Sequence, residues 1–348
     1  MRVLVLGGTG FIGPYAIRRL AAWDHEVTVF HRGQSMADLP GTVRQITGER
    51  ERLAEHADEL RRALPDVVLD MRPYTEDDAL AVARIFAGVA RRLVAISSQD
   101  VYRAYGRLIR TEPGPPDPVP LSEDAPLRER LYPYRGAEPR AADDSERWRD
   151  DYDKIPVERV VMNTPGLPGT VLRLPAVYGP GDRQHRFFSH LKRMDDHRRA
   201  ILLDDGMARW RWTYGYVEDI GDAIALAVED DRASGRIYNV GETEALSTAE
   251  RIQAIADIVG WRGEIVTLPA ERMPAHLRHD LDTAHDFVTD SGRIRAELGY
   301  AERTPRAEAI RRTVEWERAN PPGDIKPEAF DYAVEDAALA DSGVPPVS

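Results

Sequence analysis

The chain has 348 residues, enough for one large domain or two modest ones, with 47 basic against 59 acidic residues and a net charge of −12. That balance argues against a nucleic-acid partner, because neutralising phosphates takes clustered Lys and Arg, but it allows a local basic pocket. Cysteine is absent, which excludes disulfides, thiolate catalysis and cysteine-held metals and makes a cytoplasmic location the simplest expectation. No apolar run reaches the length of a membrane span, and Arg2 leads into only a short strand-like stretch, not a signal-peptide layout.

The first element is an apolar run, Arg2 to Leu6, followed by Gly7, Gly8, Thr9 and Gly10, and then by helical apolar spacing from Phe11 to Trp23. Strand, glycine turn and helix together form the context of a dinucleotide fingerprint. One glycine allows a turn at positive φ, one lets backbone approach a pyrophosphate, and Gly13 lets helix and strand pack closely. The helix start, Phe11-Ile12-Gly13, then offers free N–H groups and the positive end of the helix dipole to a phosphate.

Strand-like runs continue at Glu26–Phe30, Val43–Ile46, Val67–Asp70 and Leu93–Ile96, with helical stretches at Arg52–Ala63 and Asp77–Ala87 between them. This alternation predicts an α/β fold of Rossmann type, a doubly wound parallel sheet. Residues 103–148 break the rhythm with five prolines between Pro113 and Pro120 and many charges, and read as a long surface excursion. A helix is expected over about Asp144–Asn163, then a strand at Gly169–Leu174. Beyond residue 180, helical patterns at Phe187–Met194, Glu218–Glu229 and Thr248–Val259 alternate with short strands near Ile201, Trp212, Tyr238 and Ile265. The expected organisation is a dinucleotide-binding domain at 1–180, a smaller C-terminal α/β lobe at 181–320 for substrate, and a loosely docked acidic tail at 321–348.

Seven motifs now stand in order: Gly7–Gly13; Ile96-Ser97-Ser98-Gln99-Asp100-Val101-Tyr102; Tyr152-Asp153-Lys154-Ile155-Pro156-Val157-Glu158; Leu172 to Asp182; Val217-Glu218-Asp219-Ile220; Tyr238-Asn239-Val240-Gly241; and Asp290 to Tyr300. In this order the chain resembles, over about residues 1–318, an extended or atypical short-chain dehydrogenase/reductase of the epimerase/dehydratase type. The resemblance implies an NAD(P)-dependent enzyme that moves a hydride to or from a small polar metabolite, with a nucleotide sugar as one substrate class and a homodimer as a common assembly. Where NAD-binding members carry a carboxylate at the end of the second strand, this chain has His31 followed by Arg32. A guanidinium there suits a 2′-phosphate, so NADP is expected, with NAD the alternative. The family places further cofactor contacts near Glu49, Arg50, Met71 and Pro175.

For catalysis the resemblance assigns Ser98 to orient the substrate oxygen and Lys154 to hold the nicotinamide ribose. The family's proton-transferring tyrosine stands four residues before its lysine, and that position here is Asp150. Tyr152 is only two residues before Lys154, about 200° away on an ideal helix, and reaches the site only if the helix starts late or is deformed. Three readings follow. Tyr152 serves from an irregular helix start; Tyr102, Asp150 or Tyr134 replaces it; or the chain is a non-catalytic NAD(P)-binding regulatory or scaffold protein. Some members hold a substrate diphosphate with an arginine where this chain has Trp212, and Arg209 and Arg211 lie nearby. The histidines His276, His279 and His285 lack zinc-site spacing, so no metal is expected.

Overall fold

The computed structural model describes residues 1–34 and 38–341. In chain order the elements are β1 (Arg2–Leu6), α1 (Gly13–Ala22), β2 (Glu26–His31), β3 (Arg44–Thr47), α2 (Ala57–Arg62), β4 (Val67–Asp70), α3 (Glu76–Phe86), β5 (Arg92–Ser98), α4 (Arg103–Leu108), α5 (Lys154–Asn163) and β6 (Gly169–Leu174). The second half adds β7 (Ala176–Tyr178), α6 (Phe188–Asp195), β8 (Ala200–Asp204), α7 (Asp205–Arg209), β9 (Tyr214–Tyr216), α8 (Val217–Glu229), β10 (Arg236–Asn239), α9 (Thr248–Val259), β11 (Glu264–Leu268), α10 (Gly292–Leu298), α11 (Arg306–Ala319) and α12 (Tyr332–Asp341).

Seven strands form one parallel sheet in the order β10-β6-β5-β4-β1-β2-β3. The inner strands are apolar and buried on both faces, as strands covered by helices on each side must be. Val3, Val5, Val29 and Leu69 face a core with Ile17 and Leu20 of α1 and with α8. Leu4, Leu6, Val68 and Leu93 face the other core with Val82 and Phe86 of α3 and Val157 of α5. The strand order reverses between β1 and β4, which opens the crevice at their C-terminal ends where doubly wound sheets hold ligands.

Four features depart from the sequence reading. The helix expected from Asp144 begins ten residues later, at Lys154, because Asp153 is its N-cap and accepts from the Ile155 N–H at 2.8 Å. The helix expected over Arg52–Ala63 is a 3₁₀ stretch, Arg50–His56, kinked at Arg52, followed by the short α2. The strand near Tyr238 does not belong to a separate lobe. As β10 it pairs with β6 and forms one edge of the main sheet, and α8 packs on α1, so the chain beyond residue 180 leaves the sheet and returns to it. The smaller lobe holds the pairs β7/β9 and β8/β11. Finally, the acidic tail is docked as far as Asp341. Glu335 of α12 is buried in an ion pair with Arg193 at 2.6 Å and a contact with His276 at 3.1 Å. Residues 342–348 lie outside the described part.

The 103–148 excursion is also tied down. Its apolar residues Leu108 and Leu121 pack with Tyr102, Ile155, Trp210 and Phe287. Leu121 exchanges backbone bonds of 2.7 and 2.8 Å with Val288 and Asp290, and Arg128 donates to Val101 O at 2.8 Å.

Candidate active site

The glycine turn has the backbone its sequence calls for. Gly8 has φ +85°, and a Cβ there would lie 2.9 Å from Val5 Cγ1. At Gly13 a Cβ would stand 2.2 Å from the carbonyl oxygen of Gly8, so the loop and the start of α1 touch through bare backbone. The loop borders a cavity of about 400 Å³, walled by Gly7–Phe11, by Phe30–Arg32 at the end of β2, by Arg72 and Tyr74 after β4, and by Trp148 and Arg183. Four arginines and no carboxylate line it, in a chain of net charge −12. Among the described residues, the Arg32 and Arg183 guanidiniums have no hydrogen-bond or ion-pair partner, and that of Arg72 only lies 4.8 Å from the Tyr74 ring. His31 accepts from Gly33 N–H through Nδ1, and its buried Nε2 is left without a partner. An acid-free cavity with unpaired cations and an orphaned ring nitrogen fits an anionic dinucleotide.

Of the residues the sequence assigned to the cofactor, Gly7, Thr9, Gly10, Phe11 and Arg32 line this cavity. Ile12 and Gly13 sit behind it as the N-cap and first residue of α1. Arg50 lines it too, but its guanidinium is spent on Asp70, at 2.7 Å through both terminal nitrogens, and on Asp78 at 3.0 Å, so it is a wall rather than an open contact. Glu49 is exposed outside the wall, and Met71 lies behind Gly7. Pro175 packs near Gly215, away from the cavity.

Beyond Tyr74 lies a second cluster. Ser98 ends β5 and its hydroxyl accepts from Asp100 N–H at 3.2 Å, capping the short turn Gln99–Val101. Tyr152, freed from α5 by the late helix start, donates its hydroxyl to Asp100 Oδ2 at 3.1 Å and interacts with the Ser98 side chain. Tyr134 of the excursion donates to the same oxygen at 2.9 Å, and Tyr105 lies 3.1 Å from the Tyr134 hydroxyl. Lys154 Nζ is buried and donates to Pro73 O at 2.7 Å and Ile96 O at 2.9 Å, with the Tyr152 ring 5.6 Å away.

Of the substitutes considered for the tyrosine, only Tyr134 joins this cluster. Tyr102 is locked in a buried network, donating to Asn239 at 2.6 Å and accepting from Arg173 at 2.9 Å. Asp150 points into the excursion, where its carboxylate holds the Arg140 side chain and backbone N–H.

The electrostatics follow from burial. Asp100 is 5% exposed and its Oδ1 has no partner, so loss of hydration pushes its carboxyl above the usual range against the pull of Arg128. Burial, and then the Asp100 charge, raises the Tyr152 phenol well above its ordinary value, and Ser98 opposes this. Burial lowers the Lys154 ammonium to about 8. Asp100, Tyr74 and Trp148 were missed as site residues by the sequence reading. Asp100 lay inside a quoted motif, two residues after Ser98, whereas no spacing marks Trp148.

Fold and site together define a dinucleotide-binding enzyme with a serine, a tyrosine and a lysine gathered beside the cofactor crevice. The model of the NAD dependent epimerase/dehydratase family matches residues 3–241, and the chain belongs to that family. The 2′-dehydrokanamycin reductase of Streptomyces kanamyceticus is 30% identical over 274 residues, 78% of this chain and 70% of that protein. The 3-diazoavenalumate denitrifying reductase of a Streptomyces species is 29% identical over 322 residues, 86% and 95% of the two chains. Among solved structures, MoeE5 in complex with UDP-glucuronic acid and NAD superposes with a TM-score of 0.65 at 22% identity, covering 92% of this chain and 99% of that one. The family and its relatives support an enzyme over a non-catalytic scaffold. No helix among the described residues is long and apolar enough to cross a membrane.

Proposed function

We propose that this chain is an NADP(H)-dependent reductase of a small polar metabolite carrying a carbonyl, with Tyr152 as its proton donor. The observation that carries this is the meeting of the Tyr152 hydroxyl with Ser98 and Asp100 behind Tyr74 and Trp148, two rings that line an arginine-rich cavity without a carboxylate. When bound, the nicotinamide supplies the hydride. Ser98 and Tyr152 hold the carbonyl oxygen, and the Tyr152 proton passes to that oxygen as the alcohol forms. Asp100 accepts from the same hydroxyl and positions it, and the phenolate left behind takes its proton back from solvent. Lys154, buried with its Nζ 5.6 Å from the Tyr152 ring, is placed for the ribose. Arg32 takes the 2′-phosphate, since no carboxylate stands at the end of β2 to select the free ribose hydroxyl. A reductase is favoured over a nucleotide-sugar epimerase by the two reductase relatives and by Trp212, which stands at the diphosphate arginine's position and packs against Trp210 and Tyr214.

Cofactor choice is tested by calorimetric titration with NADPH and NADH. NADPH binds the wild type more tightly, and Arg32→Ala weakens NADPH about tenfold while leaving NADH unchanged, the loss of one charge-assisted contact. Equal loss for both nucleotides would place Arg32 elsewhere. With NADPH as donor, Tyr152→Phe lowers turnover of a carbonyl substrate by about 10²–10⁴ without changing NADPH affinity.

A further inference from the structure

Trp148 reaches the nucleotide cavity from a distant part of the chain. It lies at the end of the excursion, on the turn Arg147–Asp150, and lines the cavity together with the glycine loop. Its indole stacks on Tyr74 with centroids 4.8 Å apart and planes 23° from parallel. It also meets the Tyr152 ring edge-on at 5.8 Å. Tyr74 is 5.6 Å from Tyr152, and Lys154 Nζ lies 5.1 Å from the Tyr74 centroid. The indole therefore stands at the junction between the cavity and the proton-transfer cluster.

Two further facts make this more than chance packing. Trp148 remains 41% exposed, one of the few large apolar side chains that do. Yet the turn carrying it is fixed. Asp150, itself buried, holds Arg140 and Arg147, and Arg135 donates to Asp150 O at 2.7 Å. An aromatic face held rigidly at the mouth of a cavity with no carboxylate has the chemistry to stack on a planar heterocycle.

We propose that Trp148 is a cofactor-contact residue, forming with Tyr74 an aromatic wall for the nicotinamide end of the dinucleotide. The proposal rests on the reading of the cavity as the NADP(H) site. It gives the excursion a role that no motif announces, because the chain between β5 and α5 completes the cofactor pocket.

The test uses the full-length protein titrated with NADPH, read both by calorimetry and by energy transfer from tryptophan to the dihydronicotinamide. Trp148→Leu is expected to raise Kd about tenfold and to remove most of the energy transfer, while Trp148→Phe holds Kd within about threefold of wild type. Trp261→Phe, altered outside the cavity, leaves both readouts unchanged. Circular dichroism confirms that the variants are folded. If the wild type binds NADPH and Trp148→Leu binds it equally well, Trp148 is not a contact, and the cavity's assignment stands. If the wild type binds neither NADPH nor NADH, the assignment itself falls and this proposal with it.

Discussion

The glycine-loop cavity and the Asp100 cluster lie at the same edge of one sheet, but they are held together differently. The glycine side of the cavity is built from consecutive residues, 7 to 13, and its shape is set by backbone contact, with Gly13 against Gly8 and Gly8 against Val5. The cluster is assembled from four separated segments, bringing Ser98 and Asp100, Tyr134, Tyr152 with Lys154, and Pro73 with Tyr74 to one place through side-chain hydrogen bonds. The first is a local device that folds with β1 and α1. The second depends on two aspartates that flank Tyr152. Asp150 pins residues 140–150, and Asp153 pins 128–132 while starting α5. The lesson is that one side of the crevice is shaped by adjacent backbone and the other by side-chain bonds between distant segments.

The contrast is broken most severely at Asp153. Its carboxylate takes hydrogen bonds from Arg128 at 3.1 Å, Tyr132 N–H at 2.6 Å and Ile155 N–H at 2.8 Å, and the Arg128 side chain is fully buried. Asp153→Ala removes the carboxylate hydrogen-bonded to that guanidinium and the cap of α5. The expected loss is about 3–5 kcal/mol in urea unfolding. Limited proteolysis should then cut within 128–148 while the sheet stays intact. A loss below about 1 kcal/mol, or cleavage spread over the whole chain, would show that the excursion is not clamped separately.

A smaller loss of stability is expected on the cavity side. Gly13→Ala forces a methyl group into the Gly8 carbonyl and must spread the glycine loop from α1. Overpacking of this kind costs about 1–3 kcal/mol. Its larger consequence is on binding, with NADPH affinity reduced more than tenfold because the phosphate-facing N–H groups lose their alignment. Calorimetry and unfolding on the same sample separate the two. Unaltered NADPH affinity would mean that the glycine turn does not hold the pyrophosphate.

The same division decides what could be read in the sequence. The sheet's inner strands, the glycine turn and Ser98 at the end of β5 were legible, because apolar runs and glycine spacing are local signals. The start of α5 was not. The charged run from Asp144 has helical composition, and it masked Asp153 as a cap, although an aspartate one residue before the helix is a signal of the right kind. Tyr152 was recognisable only as displaced. Its place in the site came from the late helix start together with Asp100, a contact across 52 positions. Arg50 was expected as a cofactor contact, and its engagement was not legible because Asp70 and Asp78 come together with it only once β4 and α3 are placed. The tail looked loose because what fastens it, Glu335 on Arg193 and Asp336 on Arg198, pairs residues more than 130 positions apart.

Lys154 links the two regions, and its expected effect is the smallest and the most specific. Its ammonium is buried against Pro73 O and Ile96 O, and burial lowers it from 10.5 to about 8, with the charges of Asp100 and Asp70 offsetting part of the cost. In the unfolded chain the same group keeps its ordinary value. Between pH 8 and 10.5 the unfolded state therefore binds more protons than the folded one, and folding stability contributed by this group rises with pH. From about pH 7.5 to about pH 9 the gain is about 1 kcal/mol. Lys154→Met has no such group, so the difference in unfolding free energy between wild type and variant should move in favour of wild type over that range. Paired denaturant curves at a series of pH values measure it directly. A difference that stays flat would mean that Lys154 is hydrated in solution and titrates normally, and would remove the buried ribose-side role proposed for it.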